Sequence, residues 1–145
     1  MSKSAYMTNQ IIGEQLLIAR LDADEGICYF HNVVNEAKLT VRSEQSFQLG
    51  DQVMTLIDVM DDYIIVAVED QIVIEENEYI LNQAILGIDD LVITRLDAQR
   101  STCYCHHIAS GAKVSFRTGQ RVQVGSNILK LVAVNFGAVI FEIAQ

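Results

Sequence analysis

The chain has 145 residues, half of them apolar, no Pro, no Trp and a net charge of −9. That length holds one ordinary domain or two very small ones, and the apolar share is enough for a core. An acidic surface repels phosphate backbones, so non-specific nucleic-acid binding is not expected, and no apolar run approaches the roughly 18 residues of a membrane helix.

The start, MSKSAYMTNQ, has no apolar run behind its Lys, so no secretory signal is expected. The end, FEIAQ, carries no prenylation signal. Three cysteines, an odd number, then point to reduced thiols and a soluble, cytoplasmic protein.

The segment TNQIIG reads as a short helix or an irregular lead-in. After it, short apolar bursts rich in Val and Ile predict strands at about 15–21, 26–34, 37–43, 52–59 and 63–69. Turn residues separate them: Asp22-Ala23-Asp24-Glu25-Gly26, Asn35-Glu36, Leu49-Gly50-Asp51 and Asp61-Asp62. The stretch QIVIEENE, 71–78, reads as a linker. The pattern then repeats: LNQAILG, followed by strands at about 90–96, 101–109, 112–118, 127–134 and 138–144. Gly50 and Gly125 coincide, as a turn requiring a φ that only Gly adopts easily would demand.

The recurrence reaches single residues. Shifted by 75, residues 16–68 fall on 91–143 with 18 identities in 53 positions and no gap. With two residues inserted it extends upstream, Tyr6-x-x-Asn9-Gln10-x-Ile12 over Tyr79-x-x-Asn82-Gln83-x-Ile85. Such self-similarity reads as a tandem duplication. The expected architecture is all-β: two copies of a five-stranded barrel or sandwich, 1–70 and 79–145, packed pseudo-symmetrically. Ile64, Val66 and Val68 share a face, yet Ile65 opposite them is apolar, as is Ile140. Ile57 and Val132 likewise oppose Leu56 and Leu131. These residues suggest a second buried surface, between copies or between chains.

STCYCHHIA, 101–109, is the one stretch that looks chemical. On a strand Cys103, Cys105 and His107 share one face, and Tyr104 and His106 the other. Three ligands at i, i+2, i+4 reach one metal only with strain, because alternate side chains stand roughly 6–7 Å apart. The first copy has Cys28, Phe30 and Asn32 at those places. A Phe where Cys105 stands implies an apolar slot, and a free Cys behaves as a small hydrophobe. Two core cysteines are therefore expected, with no metal and no cofactor.

The opposite face recurs with polar chemistry. Tyr29 and His31 return as Tyr104 and His106; Lys38, Thr40 and Arg42 return as Lys113, Ser115 and Arg117; Arg20 returns as Arg95. A cationic strip on an acidic protein suits an oxyanion or an acidic peptide. Arg20, Tyr29, His31, Lys38, Arg42, Arg95, Tyr104, His106, Lys113 and Arg117 are the candidate binding residues. No Gly-x-Ser-x-Gly, His-Glu-x-x-His, P-loop or Rossmann glycine pattern occurs, and no catalysis is expected.

The plan resembles that of the tandem molybdate-binding (Mop) proteins. Two β modules of this length carry Asn9-Gln10-Ile11-Ile12-Gly13, and Gly50-Asp51-Gln52-Val53 followed by Leu56-Ile57. The resemblance implies oxyanion binding at subunit interfaces. The family's Ser-Ala-Arg-Asn is Tyr6-Met7-Thr8-Asn9 here and Tyr79-Ile80-Leu81-Asn82 in the second copy, so no residue role carries across. The later part of each copy is also similar to small β modules of secretion and pilus-assembly proteins and of the carbon-storage regulator. The leading expectation is a non-catalytic adaptor or assembly protein that binds another protein or forms a homo-oligomer. The alternative is an oxyanion-binding protein that uses the basic strip.

Overall fold

The computed structural model describes residues 2–69, 77–85, 91–124 and 126–144. Among them are strands and turns and no helix, so no helix is long and apolar enough to cross a membrane. Most of the segment read as a linker, 71–76, lies outside the described residues, as does Gly125. By internal contacts the chain divides into Met1–Ile72 and Val73–Gln145.

The described residues of the first unit hold eight strands: β1 (Ser2–Met7), β2 (Ile11–Ile12), β3 (Leu16–Asp22), β4 (Ile27–Asn32), β5 (Lys38–Arg42), β6 (Ser46–Leu49), β7 (Gln52–Val59) and β8 (Tyr63–Glu69). They form two antiparallel sheets, ordered β2-β3-β4-β5 and β1-β8-β7-β6. The second unit holds β9 (Glu78–Tyr79), β10 (Leu91–Asp97), β11 (Thr102–His107), β12 (Lys113–Arg117), β13 (Arg121–Val124), β14 (Asn127–Val134) and β15 (Val139–Ala144). Its sheets run β10-β11-β12 and β13-β14-β15-β9. Each sheet has two edges, so the expected barrel does not close. The five strands expected per unit are joined by β1, β2, β6, β9 and β13, of which β2 and β9 are two residues long. TNQIIG is no helix: Asn9 turns the chain at φ 72°, and Ile11 and Ile12 pair with Leu17 and Leu16.

Alternation builds the core. In β3–β5 the rows Ile18–Phe30–Leu39 and Leu21–Cys28–Val41 face inward, and all but the half-buried Leu21 are buried. Phe47 of β6 meets Phe30 with ring centroids 5.4 Å apart. In the second unit Ile93, Cys105, Leu96, Cys103 and Phe116 are buried, and Phe116 stands edge-on to Phe141 at 5.5 Å. The apolar residues on the opposite faces have a local cause in part. Register shifts leave Ile57 unpaired between Leu56 and Asp58, and Val132 between Leu131 and Ala133. The extra residue of each bulge breaks the alternation.

Several turns are closed by glutamine. Gln45 Oε1 accepts the Arg42 N–H at 2.8 Å while Gln45 N–H donates to the Arg42 carbonyl. Gln120 does the same to Arg117, and Gln10 and Gln83 do it to Met7 and Ile80. The Asn-Gln pair singled out in the sequence is thus turn chemistry: a left-handed Asn followed by a bonding Gln.

Gln45 is 1% exposed, whereas Gln120 is exposed. Gln45→Ala leaves the half-buried Arg42 N–H without its acceptor and empties a buried site, and is expected to cost about 1–3 kcal/mol. Gln120→Ala costs less, because water replaces the lost partner. Denaturant titration of the two variants against the parent checks the difference.

Candidate functional site

Antiparallel register sets directly opposed residues on one face. Across β3, β4 and β5 the outward rows are Leu17–His31–Lys38, Arg20–Tyr29–Thr40 and Asp22–Ile27–Arg42. Across β10, β11 and β12 they are Val92–His106–Lys113, Arg95–Tyr104–Ser115 and Asp97–Thr102–Arg117, and of these outward rows Ile27, Val92 and Thr102 are themselves buried. All ten candidate residues therefore lie on outer sheet faces, five in each unit.

One device places the arginines there. Ile18 opposes Phe30 and Arg20 opposes Tyr29, so Ala19 is an extra residue in β3. Strict alternation from Ile18 would turn Arg20 inward; the bulge turns it out. In β10 Thr94 is the extra residue, and its hydroxyl donates to the Tyr104 carbonyl at 3.2 Å. Each guanidinium then lies over the opposite ring. Arg20 Cζ is 4.9 Å from the Tyr29 centroid, and Arg95 Cζ is 5.1 Å from that of Tyr104. Such a stack is worth about 0.5–1 kcal/mol when exposed.

The cations differ in their partners. Arg95 approaches Asp97 at 3.7 Å, and Arg100 reaches the same carboxylate at 4.0 Å. Asp97 also accepts the Arg100 N–H, as Asp22 accepts that of Glu25, so these aspartates shape the turns after β10 and β3. Among the described residues no ion pair engages Lys38, Arg42, Lys113 or Arg117.

An apolar border adjoins the cationic face in the first unit. Ile11 pairs with Leu17, extending one row to Ile11–Leu17–His31–Lys38 across four strands. Ile11 is 49% exposed, and Val33 and Val34, just past β4, are 42% and 70% exposed. Sequence reasoning missed this border. Its signal was the doubled Ile11-Ile12, which puts one Ile on each face of any short strand.

The Cys/His strand resolves inward. Cys103 and Cys105 are buried, with Sγ atoms 3.9 Å apart. His107 Nδ1 accepts the Ser110 N–H at 3.2 Å and lies 2.8 Å from the Ser110 hydroxyl. Asn32 works likewise in the first unit, its Oδ1 accepting N–H from Val34 and Asn35. His107 thus shapes a turn. Among the described residues no group of three His, Cys, Asp or Glu is placed to hold a metal ion. Burial pushes the Cys28 thiol from 9.0 up to about 12. Cys103 is pushed well above its ordinary value, first by its hydrogen bond with Cys105, then by burial and by that neighbour's charge.

Compared with protein-family models, curated proteins and solved structures, the chain matches none.

Cys28 gives a pH signature. Its folded pKa is raised, so its contribution to stability is whole below the unfolded value of 9.0 and is lost as pH rises towards about 12. Over that window stability falls by up to about 1.4 kcal/mol per pH unit on account of this thiol. Urea titrations at stepped pH are expected to show a shallower alkaline fall in Cys28→Ala than in the parent.

Proposed function

We propose that the chain is a non-catalytic binding or assembly protein, built from two copies of one β module, that acts through protein–protein contact on the outer faces of β3–β5 and β10–β12. The partner is another polypeptide or an assembly, a second copy of this chain included. The observation that carries the reading is the composition of one exposed surface. An Arg–Tyr stack, a Lys and a His share the sheet face with exposed Ile11, and exposed Val33 and Val34 follow directly on β4. Arg and aromatic residues with an apolar neighbour are what protein interfaces concentrate.

The duplication is supported by the 18 identities and by recurring bonds. Asn9 N–H donates to the Ile18 carbonyl and Asn82 N–H to that of Ile93; Leu56 N–H donates to Gln45 and Leu131 N–H to Gln120. The bulges at Ala19 and Ile57 have counterparts at Thr94 and Val132. A non-catalytic role agrees with the Cys28 and Cys103 thiols being pushed toward the protonated form. A reducing, cytoplasmic setting agrees with three free cysteines.

A second reading, an oxyanion carrier, is favoured by Lys38, Arg42, Lys113 and Arg117, which no ion pair engages among the described residues. Direct coordination there uses side chains alone and needs no polypeptide.

A photo-crosslinking amino acid at Ile11 or Tyr29, in the cells that express the chain, is expected to give a discrete adduct containing a second polypeptide. The same crosslinker at Glu25, in the β3–β4 turn, is expected to give none. Absence of any adduct from the outer face, with tight binding of molybdate or phosphate by the purified chain, would replace the first reading by the second.

A further inference from the structure

The strip lies along two sheet edges. β5 ends the order β2-β3-β4-β5, and β12 ends β10-β11-β12. Ser43 N–H donates to the Gly26 carbonyl, and Asn32 N–H donates to that of Ala37. Between these ends the backbone of residues 39 and 41 turns toward β4, and that of 38, 40 and 42 turns away from it. Gln45 Oε1 takes the Arg42 N–H. Lys38 and Thr40 therefore present N–H and C=O groups with no bonding partner among the described residues. The second unit repeats this. Thr118 N–H donates to Ser101, His107 N–H to Ala112, and Gln120 takes the Arg117 N–H. Lys113 and Ser115 are left at the edge.

An open edge is a template for another strand, and lysines on it repel most comers. Here the same residues select. Side chains of Lys38, Thr40 and Arg42 lie on the outer face, beside the inward Leu39 and Val41. An added strand would set residues i, i+2 and i+4 opposite the first three, and i+1 and i+3 beside the last two. Cations at both ends that no ion pair engages among the described residues, on a chain of net charge −9, call for acidic residues at i and i+4. The inward pair calls for small apolar residues.

We infer that β5 and β12 are docking edges for an extended acidic segment of a partner polypeptide, of pattern acidic–apolar–any–apolar–acidic, added as a further strand to each sheet. The inference rests on the protein-binding reading and names the partner's chemistry. Backbone bonds to Lys38 and Thr40 supply much of the affinity, and the carboxylates opposite Lys38 and Arg42 supply selection.

A fluorescent, end-blocked peptide with a Glu-Val-Thr-Val-Glu core is the probe, and anisotropy the readout. The parent chain is expected to bind it saturably, and to bind a Lys-for-Glu peptide not at all. Thr40→Pro with Ser115→Pro removes one outward N–H per edge, a change that edge strands tolerate. It is expected to abolish binding with an unchanged thermal midpoint. Reversing Lys38, Arg42, Lys113 and Arg117 to Glu is expected to weaken binding about tenfold or more. N-methylation of the peptide amides that face the edge is expected to abolish binding too, and leaves the protein untouched should the Pro variant unfold.

Undiminished binding by the Pro variant or of the N-methylated peptide would overturn the inference. So would displacement of the peptide by low concentrations of inorganic phosphate, or no binding by the parent. If the peptide is inert while crosslinks from Ile11 still capture a polypeptide, the edge is wrong and the face reading stands. If both fail, the protein-binding reading itself falls.

Discussion

One extra residue in β3, and one in β10, decides which chemistry reaches the surface. Without Ala19 unpaired between Ile18 and Arg20, strict alternation would aim a guanidinium at Phe30, Leu39 and Phe47. Burying an unpaired cation there costs far more than a bulge does. With the bulge, Ile18 and Leu21 both point inward, and Arg20 and Asp22 both point out. The Arg–Tyr stack, the position of Asp22 at the turn and the composition of the outer face all follow from that register. Thr94 makes the same adjustment in β10 and ties it down with a hydroxyl bond to Tyr104.

The turns fix the strands to either side. Gln45 and Gln120 close the β5–β6 and β12–β13 corners by standing in for backbone acceptors. In doing so they take the Arg42 and Arg117 amides and leave the groups at residues 38, 40, 113 and 115 as the part of each edge with no partner among the described residues. Positive φ falls on Glu44 in one unit and on Gly119 in the other, and on Glu36 and Gly111. The backbone path is held even where a side chain makes it costly, at about 1–2 kcal/mol per residue.

Much of this was legible in sequence. Alternation located the longer strands, because Val and Ile at period two leave little choice between helix and strand. It also sent Cys103 and Cys105 inward and Tyr104 and His106 outward. Other strands were hidden: β1 is SKSAYM with almost no apolar alternation, and β2 and β9 are only two residues long. The bulges were hidden too, since an unpaired residue is defined only against a partner strand. Ile57 and Val132 therefore read as a second buried face when they are register irregularities. The basic strip was found by recurrence, but its apolar border was not. Ile11 and Leu17 join His31 only through a pairing that no local pattern announces.

Native mass spectrometry of the chain, purified gently from the cells that make it and without added metal, weighs subunits and small ligands together. A chain built to bind protein through its outer faces is expected to appear as a multiple of itself or with a second polypeptide, free of small adducts. A single chain carrying a reproducible adduct of oxyanion or metal mass would contradict the account and assign the cationic face to a small ligand.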